Sequence, residues 1–244
     1  MIPKIIHYCW LGGNPMPERL KRWQESWRRM LPDFEFILWN ESNFDMNSVP
    51  WVKEAYEAGM YAFSADYIRY YALYTYGGIY MDTDVEVVRP FAELLERPYL
   101  MGAEYDDYPE SGIFGAIPHS DLMRWCMEFY HDRHFSPDQI TLNTCKAPQV
   151  MHQAIGAHRK FVQTEVFIPD ETIVCLLPSD YLTAMSADTG IAHPTANTRT
   201  IHHFAGSWCY TTPQSRMRRQ LKVFVSHCLG EKMARKLSSF FYKQ

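Results

Sequence analysis

The stretch from Ala62 to Val87, AFSADYIRYYALYTYGGIYMDTDVEV, constrains the fold of this chain more than any other. Ala62 to Tyr76 predicts a helix, and Gly77-Gly78 supplies the punctuation that ends it. Ile79 to Met81 then reads as a short strand that delivers Asp82 to its tip. In a strand, residues i and i+2 point to the same face, so Asp82 and Asp84 would stand side by side. Two carboxylates so placed repel, and burying them unpaired is costly. Either a cation sits between them, with a divalent metal taking oxygen ligands as the economical choice, or both face water in a solvated turn.

The flanking sequence predicts an α/β sheet. IPKIIHYCW is a strand that breaks at Gly12-Gly13, NPMPERLKRWQESWRRML carries Leu20, Trp23, Trp27 and Leu31 at helical spacing, and FEFILWN is a second strand. RPYLMGAEY and SGIFGAIP read as two further strands. Asp121 to His134 and about Pro148 to His158 read as helices, and TIVCLLPSDYL and TRTIHHF as late strands. The division is a catalytic domain over 1–212 and a basic, amphipathic helical segment over 213–244.

Composition narrows the class. Hydrophobic residues make up 47% of the chain, ample for a packed core, yet no run of about 18 apolar residues occurs. The opening MIPKIIHYCW lacks the charged-then-apolar layout of a signal peptide, and six scattered cysteines form no CxxC pair. The expected compartment is therefore the cytosol, with reduced thiols. The net charge of −4 conceals an asymmetry: residues 213–244 hold eight Lys or Arg and one acid, about +7, against −11 in the remainder. Such a tail calls for an anionic partner, and its apolar positions (Leu221, Phe224, Val225 and Cys228, then Met233, Leu237, Phe240 and Phe241) suit either an anionic membrane surface or the body of the protein.

Asp66 and Arg69, three apart, share one face of the helix that leads into the glycine turn. FSADYIRYYALYTYGGIYMDTDV resembles the DXD-containing glycosyltransferases of family 32, which include capsular polysaccharide transferases and α-mannosyltransferases. It is more remotely similar to the glucosylating domains of large clostridial toxins. IPKIIHYCWLGG, the stretch from Pro15 to Glu41 and the late IHHFAGSW fit the same family in the same order, so the resemblance covers residues 1 to about 210. It implies a GT-A fold, a Rossmann-like mixed sheet flanked by helices, that uses a nucleotide-sugar donor and Mn2+ or Mg2+. Asp84 would be the direct metal ligand, with Asp82 touching donor and metal. Asp66 and Arg69 would hold the donor sugar, Tyr80 would back the site, Trp10 would pack on the base, and Ser207 and Trp208 would close over the diphosphate.

A third metal ligand is expected in IHHFAGSW. Alternation puts His202 and His203 on opposite faces, and a related family's His-x-x-Gly pattern favours His203. The resemblance further implies retention of anomeric configuration without a protein nucleophile, and an acceptor that is a glycan or lipid-linked oligosaccharide in capsular or other surface polysaccharide synthesis. Nucleic acid is not among the expected partners, and a peripheral place on the inner face of the cytoplasmic membrane is. Glu104, Asp106 and Asp107 could approach the acceptor. ESGIFGAIP and CKAPQ depart from the family pattern, leaving both sugars undetermined, as is the choice of UDP or GDP. Two rivals remain: a haloacid-dehalogenase-type phosphatase using Asp82 and Asp84, and an inactive nucleotide- or glycan-binding module.

Overall fold

The computed structural model describes residues 1–206 except Asp188, together with Met217, Val223, Phe224, Ser226 and Cys228; the side chains of Gln139, Ile140 and Asn143 are outside that description. The chain begins with β1 (Ile5–Cys9), α1 (Glu18–Met30) and β2 (Glu35–Trp39), the strand–helix–strand unit that the apolar spacing predicts. Then come α2 (Pro50–Glu57), α3 (Tyr61–Tyr76), β3 (Gly78–Met81) and β4 (Val85–Val87). The hairpin strands β5 (Tyr99–Tyr105) and β6 (Tyr108–Ala116) precede α4 (Asp121–Glu128), α5 (Gln139–Thr144) and α6 (Ala147–Gly156). The remaining elements are β7 (Lys160–Gln163), β8 (Ile173–Leu176), α7 (Ser179–Leu182) and β9 (Thr200–His202).

Among the described residues the main sheet has the order β2-β1-β3-β6-β5. The first three strands run parallel, and β6 is antiparallel to both β3 and β5. Crossover helices therefore cover both faces. One apolar cluster joins α2, α3, α4 and α6 to one face, and a second joins α1 and β4 to the other. Helix α3 is buried nearly all round, as a helix without a polar face must be.

The two glycines after α3 have separate duties. Gly77 has φ +65 and a Cβ there would meet Pro118; Gly78 has φ +108 and a Cβ there would lie 2.6 Å from the Ile5 carbonyl oxygen. Only glycine lets the chain turn from helix to central strand so tightly. His7 secures the turn. Its Nδ1 accepts the Trp39 indole N–H at 3.1 Å, so its Nε2–H donates to the Gly77 carbonyl at 2.8 Å. Burial lowers the His7 pKa and keeps the ring neutral for that role.

Several sequence expectations change. The predicted helix from Asp121 to His134 stops at Glu128, after which buried Tyr130 turns into the cluster around Trp51 and Tyr67. Elements α2, α5, β4 and β7 have no counterpart in the sequence reading, because segments of three to eight residues carry little periodicity. Asp82 to Asp84 forms a turn beyond β3, closed by the Val85 N–H on the Asp82 carbonyl at 3.0 Å, so strand alternation is not what brings the two carboxylates together. Among the described residues no helix is long and apolar enough to cross a membrane. Expectations for Ser207, Trp208 and most of 213–244 fall outside the described residues.

Candidate active site

The carboxyl ends of β1, β2 and β3 share one edge of the sheet, where a ligand crevice is expected in open α/β sheets. Register places Cys9 and Trp10 beside the Asp82 turn, because His7 pairs with Tyr80 in parallel strands. Trp10 is half-buried, with its indole N–H on the Asn14 carbonyl at 2.7 Å.

Helix α3 supplies the floor of the site. Arg69 is buried, so its charge needs partners on several sides. It donates to Asp66 Oδ1 at 2.7 Å and to the Ser111 carbonyl at 2.9 Å, and lies 3.5 Å from Asp82 Oδ1. Its guanidinium also sits 4.6 Å over the centre of the Tyr80 ring. The Tyr80 hydroxyl donates to Asp82 Oδ1 at 2.9 Å. Burial pushes the Asp66 carboxyl up to about 7 despite Arg69, and Asp82 adds like-charge repulsion. Burial likewise raises the Asp82 pKa, with Arg69 opposing and Asp84 reinforcing the shift.

The Asp-Thr-Asp turn does not face bulk water. The Asp82 and Asp84 side chains are 28% and 13% exposed. Strand β9 brings His202 opposite Val85, and its Nε2 stands 3.3 Å from Asp84 Oδ1. Asp84 Oδ2 takes the Ala205 N–H at 2.6 Å. Burial works to raise the Asp84 pKa, but the His202 charge and these hydrogen bonds outweigh it and hold the carboxyl at about 2. Burial alone would lower the His202 pKa; Glu110 and Asp84 reverse that and raise it well above the ordinary value.

The preference for His203 is corrected by this geometry. His203 lies on the other side of β9, stacked on Trp23 and 2.9 Å from Glu86 Oε2. It is His202 that joins Asp82 and Asp84, with one ligand atom of each within 4.8 Å of the others. Two carboxylates and an imidazole nitrogen form a donor set that fits Mn2+ or Mg2+. Glu110, buried on β6 behind His202, is the residue that the sequence reading passed over. The sequence reading begins that strand at Ser111, which leaves Glu110 among the loop acids. Asp106 and Asp107 are exposed at the β5–β6 hairpin tip, with Glu104 half-buried beside them.

Comparison with known proteins fits this arrangement. Residues 17–101 match the family described as glycosyltransferase sugar-binding region containing DXD motif, a span that includes Asp66, Arg69, Asp82 and Asp84. Over residues 17–101 this chain is similar to the DXD glycosyltransferases. Inositol phosphoceramide mannosyltransferase 3 of Schizosaccharomyces pombe is 40% identical over 101 residues, covering 40% of this chain and 28% of the relative. A human alpha-1,4-N-acetylglucosaminyltransferase is 38% identical over 73 residues, covering 30% of this chain and 20% of its own. A glycosyltransferase of Acanthamoeba polyphaga mimivirus is 35% identical over 155 residues, 59% of this chain and 61% of that one. The chain thus spans well under two thirds of the yeast and human relatives. The PaToxG glycosyltransferase structure has a TM-score of 0.55 at 16% identity, covering 64% of this chain and 69% of its own, a likeness of fold. The chain therefore has a GT-A fold, a mixed sheet flanked by helices.

Proposed function

We propose that this domain is a metal-dependent, retaining glycosyltransferase that moves a hexose from a UDP- or GDP-sugar to a polysaccharide or lipid-linked oligosaccharide acceptor. The observation that carries the reading is the convergence of Asp82, Asp84 and His202 beside a buried Arg69–Asp66 pair at the carboxyl edge of the sheet. Asp82, Asp84 and His202 would hold the cation. When bound, a divalent cation supplies Lewis-acid stabilisation of the negative charge that develops on a departing nucleoside diphosphate.

The chain's own residues do the rest. Arg69 is fixed by Asp66, Ser111 and Tyr80, so it offers a preorganised cation without reorganisation on binding. Asp66 is buried and accepts from Arg69, and its second oxygen is suited to sugar hydroxyl donors. Trp10 offers an aromatic face to the base at the end of β1. The similarity to a yeast inositol phosphoceramide mannosyltransferase supports a hexose donor and a lipid-bearing acceptor. Work in surface polysaccharide assembly on the inner face of the cytoplasmic membrane is part of the same proposal, and the basic tail supports it.

A thermal-shift screen of UDP- and GDP-sugars with and without Mn2+ tests the reading, because a ligand bound to the folded state raises its melting temperature. One nucleotide series should stabilise the protein, and only when Mn2+ is present. Equal shifts without Mn2+, or none with any donor, would remove the metal-dependent assignment.

A further inference from the structure

Glu110 is 1% exposed, and both of its oxygens are engaged. Oε1 accepts the Gly112 N–H at 2.6 Å and faces His202 Nδ1 at 3.1 Å, while Oε2 accepts the Thr183 hydroxyl at 2.9 Å. The backbone closes the same frame, since the His202 N–H donates to the Thr183 carbonyl at 2.9 Å. Glu110 touches the imidazole through the nitrogen opposite the one that faces Asp84. Two residues along β6, a Cβ on Gly112 would stand 2.4 Å from His202 Cε1. The missing side chain at 112 is thus the space that the ring occupies. Phe204 covers the ring with a centroid separation of 4.0 Å.

We propose that Glu110 is a positioning residue for a divalent-cation site: it keeps a proton on His202 Nδ1 and so makes Nε2, which faces Asp84, the nitrogen that can exchange its proton for a cation, with Gly112 leaving room for the ring. This rests on the reading that Asp82, Asp84 and His202 hold the cation. A carboxylate ionised and fully hydrogen-bonded can only accept, so the nitrogen beside it must be the one that carries hydrogen. Metal-bound histidines commonly have their second nitrogen fixed in this way, and loss of such a partner costs about 10- to 100-fold in metal affinity. Glu110 is not itself a member of the group of possible ligands, because the imidazole stands between it and the aspartates.

The test is the Mn2+ dissociation constant of the full chain, read from the electron paramagnetic resonance signal of free Mn2+ without donor or acceptor. Glu110→Gln keeps the shape and hydrogen-bonding reach of the side chain but removes the charge that fixes the tautomer. It should weaken Mn2+ binding by about 10- to 100-fold, and on a His202→Ala background it should add nothing. Gly112→Ala, which sets a methyl against the His202 ring and substitutes no proposed ligand, should produce a loss of the same order. It carries the test if Glu110→Gln does not fold. Unchanged Mn2+ affinity in the folded variants, or an undiminished effect on the His202→Ala background, would overturn the role of Glu110. If the parent protein takes up no Mn2+, the cation reading itself fails, and the inference falls with it.

Discussion

Trp23 and His203 stack face to face, with ring centroids 4.2 Å apart and planes 13° from parallel. The stack fixes His203 against α1, while His202 turns toward Asp84 from the opposite side of β9. The two adjacent histidines should therefore respond differently to truncation. His202→Ala should raise the Mn2+ concentration for half-maximal activity by about 100-fold or more, beyond what outer partners contribute. His203→Ala should leave that concentration unchanged and lower stability by about 0.5–1.5 kcal/mol through the lost ring contact. Metal titrations of activity, paired with urea denaturation, separate the two. The reverse pattern would return the ligand role to His203.

The aspartates of the turn invite the most direct test. Asp82→Asn and Asp84→Asn keep hydrogen-bond acceptors for Tyr80 and Ala205 but halve the carboxylate charge facing the cation. Each should lower turnover by about 100- to 1,000-fold, in the range of removing one electrostatic stabiliser. Circular dichroism should remain that of the parent. Full activity in either variant would count decisively against the proposed function.

How far the site was legible follows from where each constraint lives. Asp66, Arg69, Tyr80 and the aspartates belong to one local run, so helix spacing and a glycine stop were enough to bring them together. The identity of the third group was not local. Alternation says that His202 and His203 diverge, but the register of β9 against β4, with His202 opposite Val85, decides which one faces Asp84. Because β4 is three residues long, its pattern gave no warning of that pairing. Glu110 was hidden for a similar reason. Beside Asp106 and Asp107 it reads as one more loop acid, and only the β5–β6 pairing shows it inside the sheet.

Asp66 predicts a distinctive pH dependence of stability. Its folded pKa is raised to about 7 from the ordinary 3.8. A raised value means that the folded state holds the proton more tightly, so this contribution is complete below pH 3.8 and is lost as pH rises through 7. Asp66→Asn removes that dependence. Relative to the parent, the variant should gain stability as pH rises from 3.8 to about 7 and keep that gain above 7, by a few kcal/mol at most on the order of the linkage for a shift this size. Urea denaturation across that range checks it. Parallel stability curves would show that Asp66 does not titrate in the window.

Two glycines, one after β1 and one opening β3, separate backbone strain from collision. Gly13 has φ +66 with open space where a methyl would stand, whereas Gly78 at φ +108 would drive its Cβ into the Ile5 carbonyl. Gly13→Ala should cost about 1 kcal/mol, the ordinary penalty for a left-handed residue. Gly78→Ala should cost about 3 kcal/mol or more, since backbone must move as well. It should also lower turnover, because β3 carries Asp82. Urea denaturation of the two variants gives the comparison, and equal costs would mean that β3 can shift away from β1 freely.

The basic segment after residue 212 offers a test of membrane association. Its described residues show both tendencies: Val223 would lie 3.0 Å from a Cβ on Gly190 and Ser226 is buried, while Met217 and Phe224 are exposed. Part of the segment thus touches the body and part keeps apolar side chains free of it. Neutralising Lys232, Arg235 and Lys236 to Gln changes none of those four residues and removes three positive charges from a tail of net +7. At about 1 kcal/mol per basic residue near an anionic surface, affinity for phosphatidylglycerol vesicles should fall by about a hundredfold. Binding to neutral phosphatidylcholine vesicles should not change. Cosedimentation of the full chain measures both, and an unaltered partition onto anionic vesicles would assign the positive charge to some other partner.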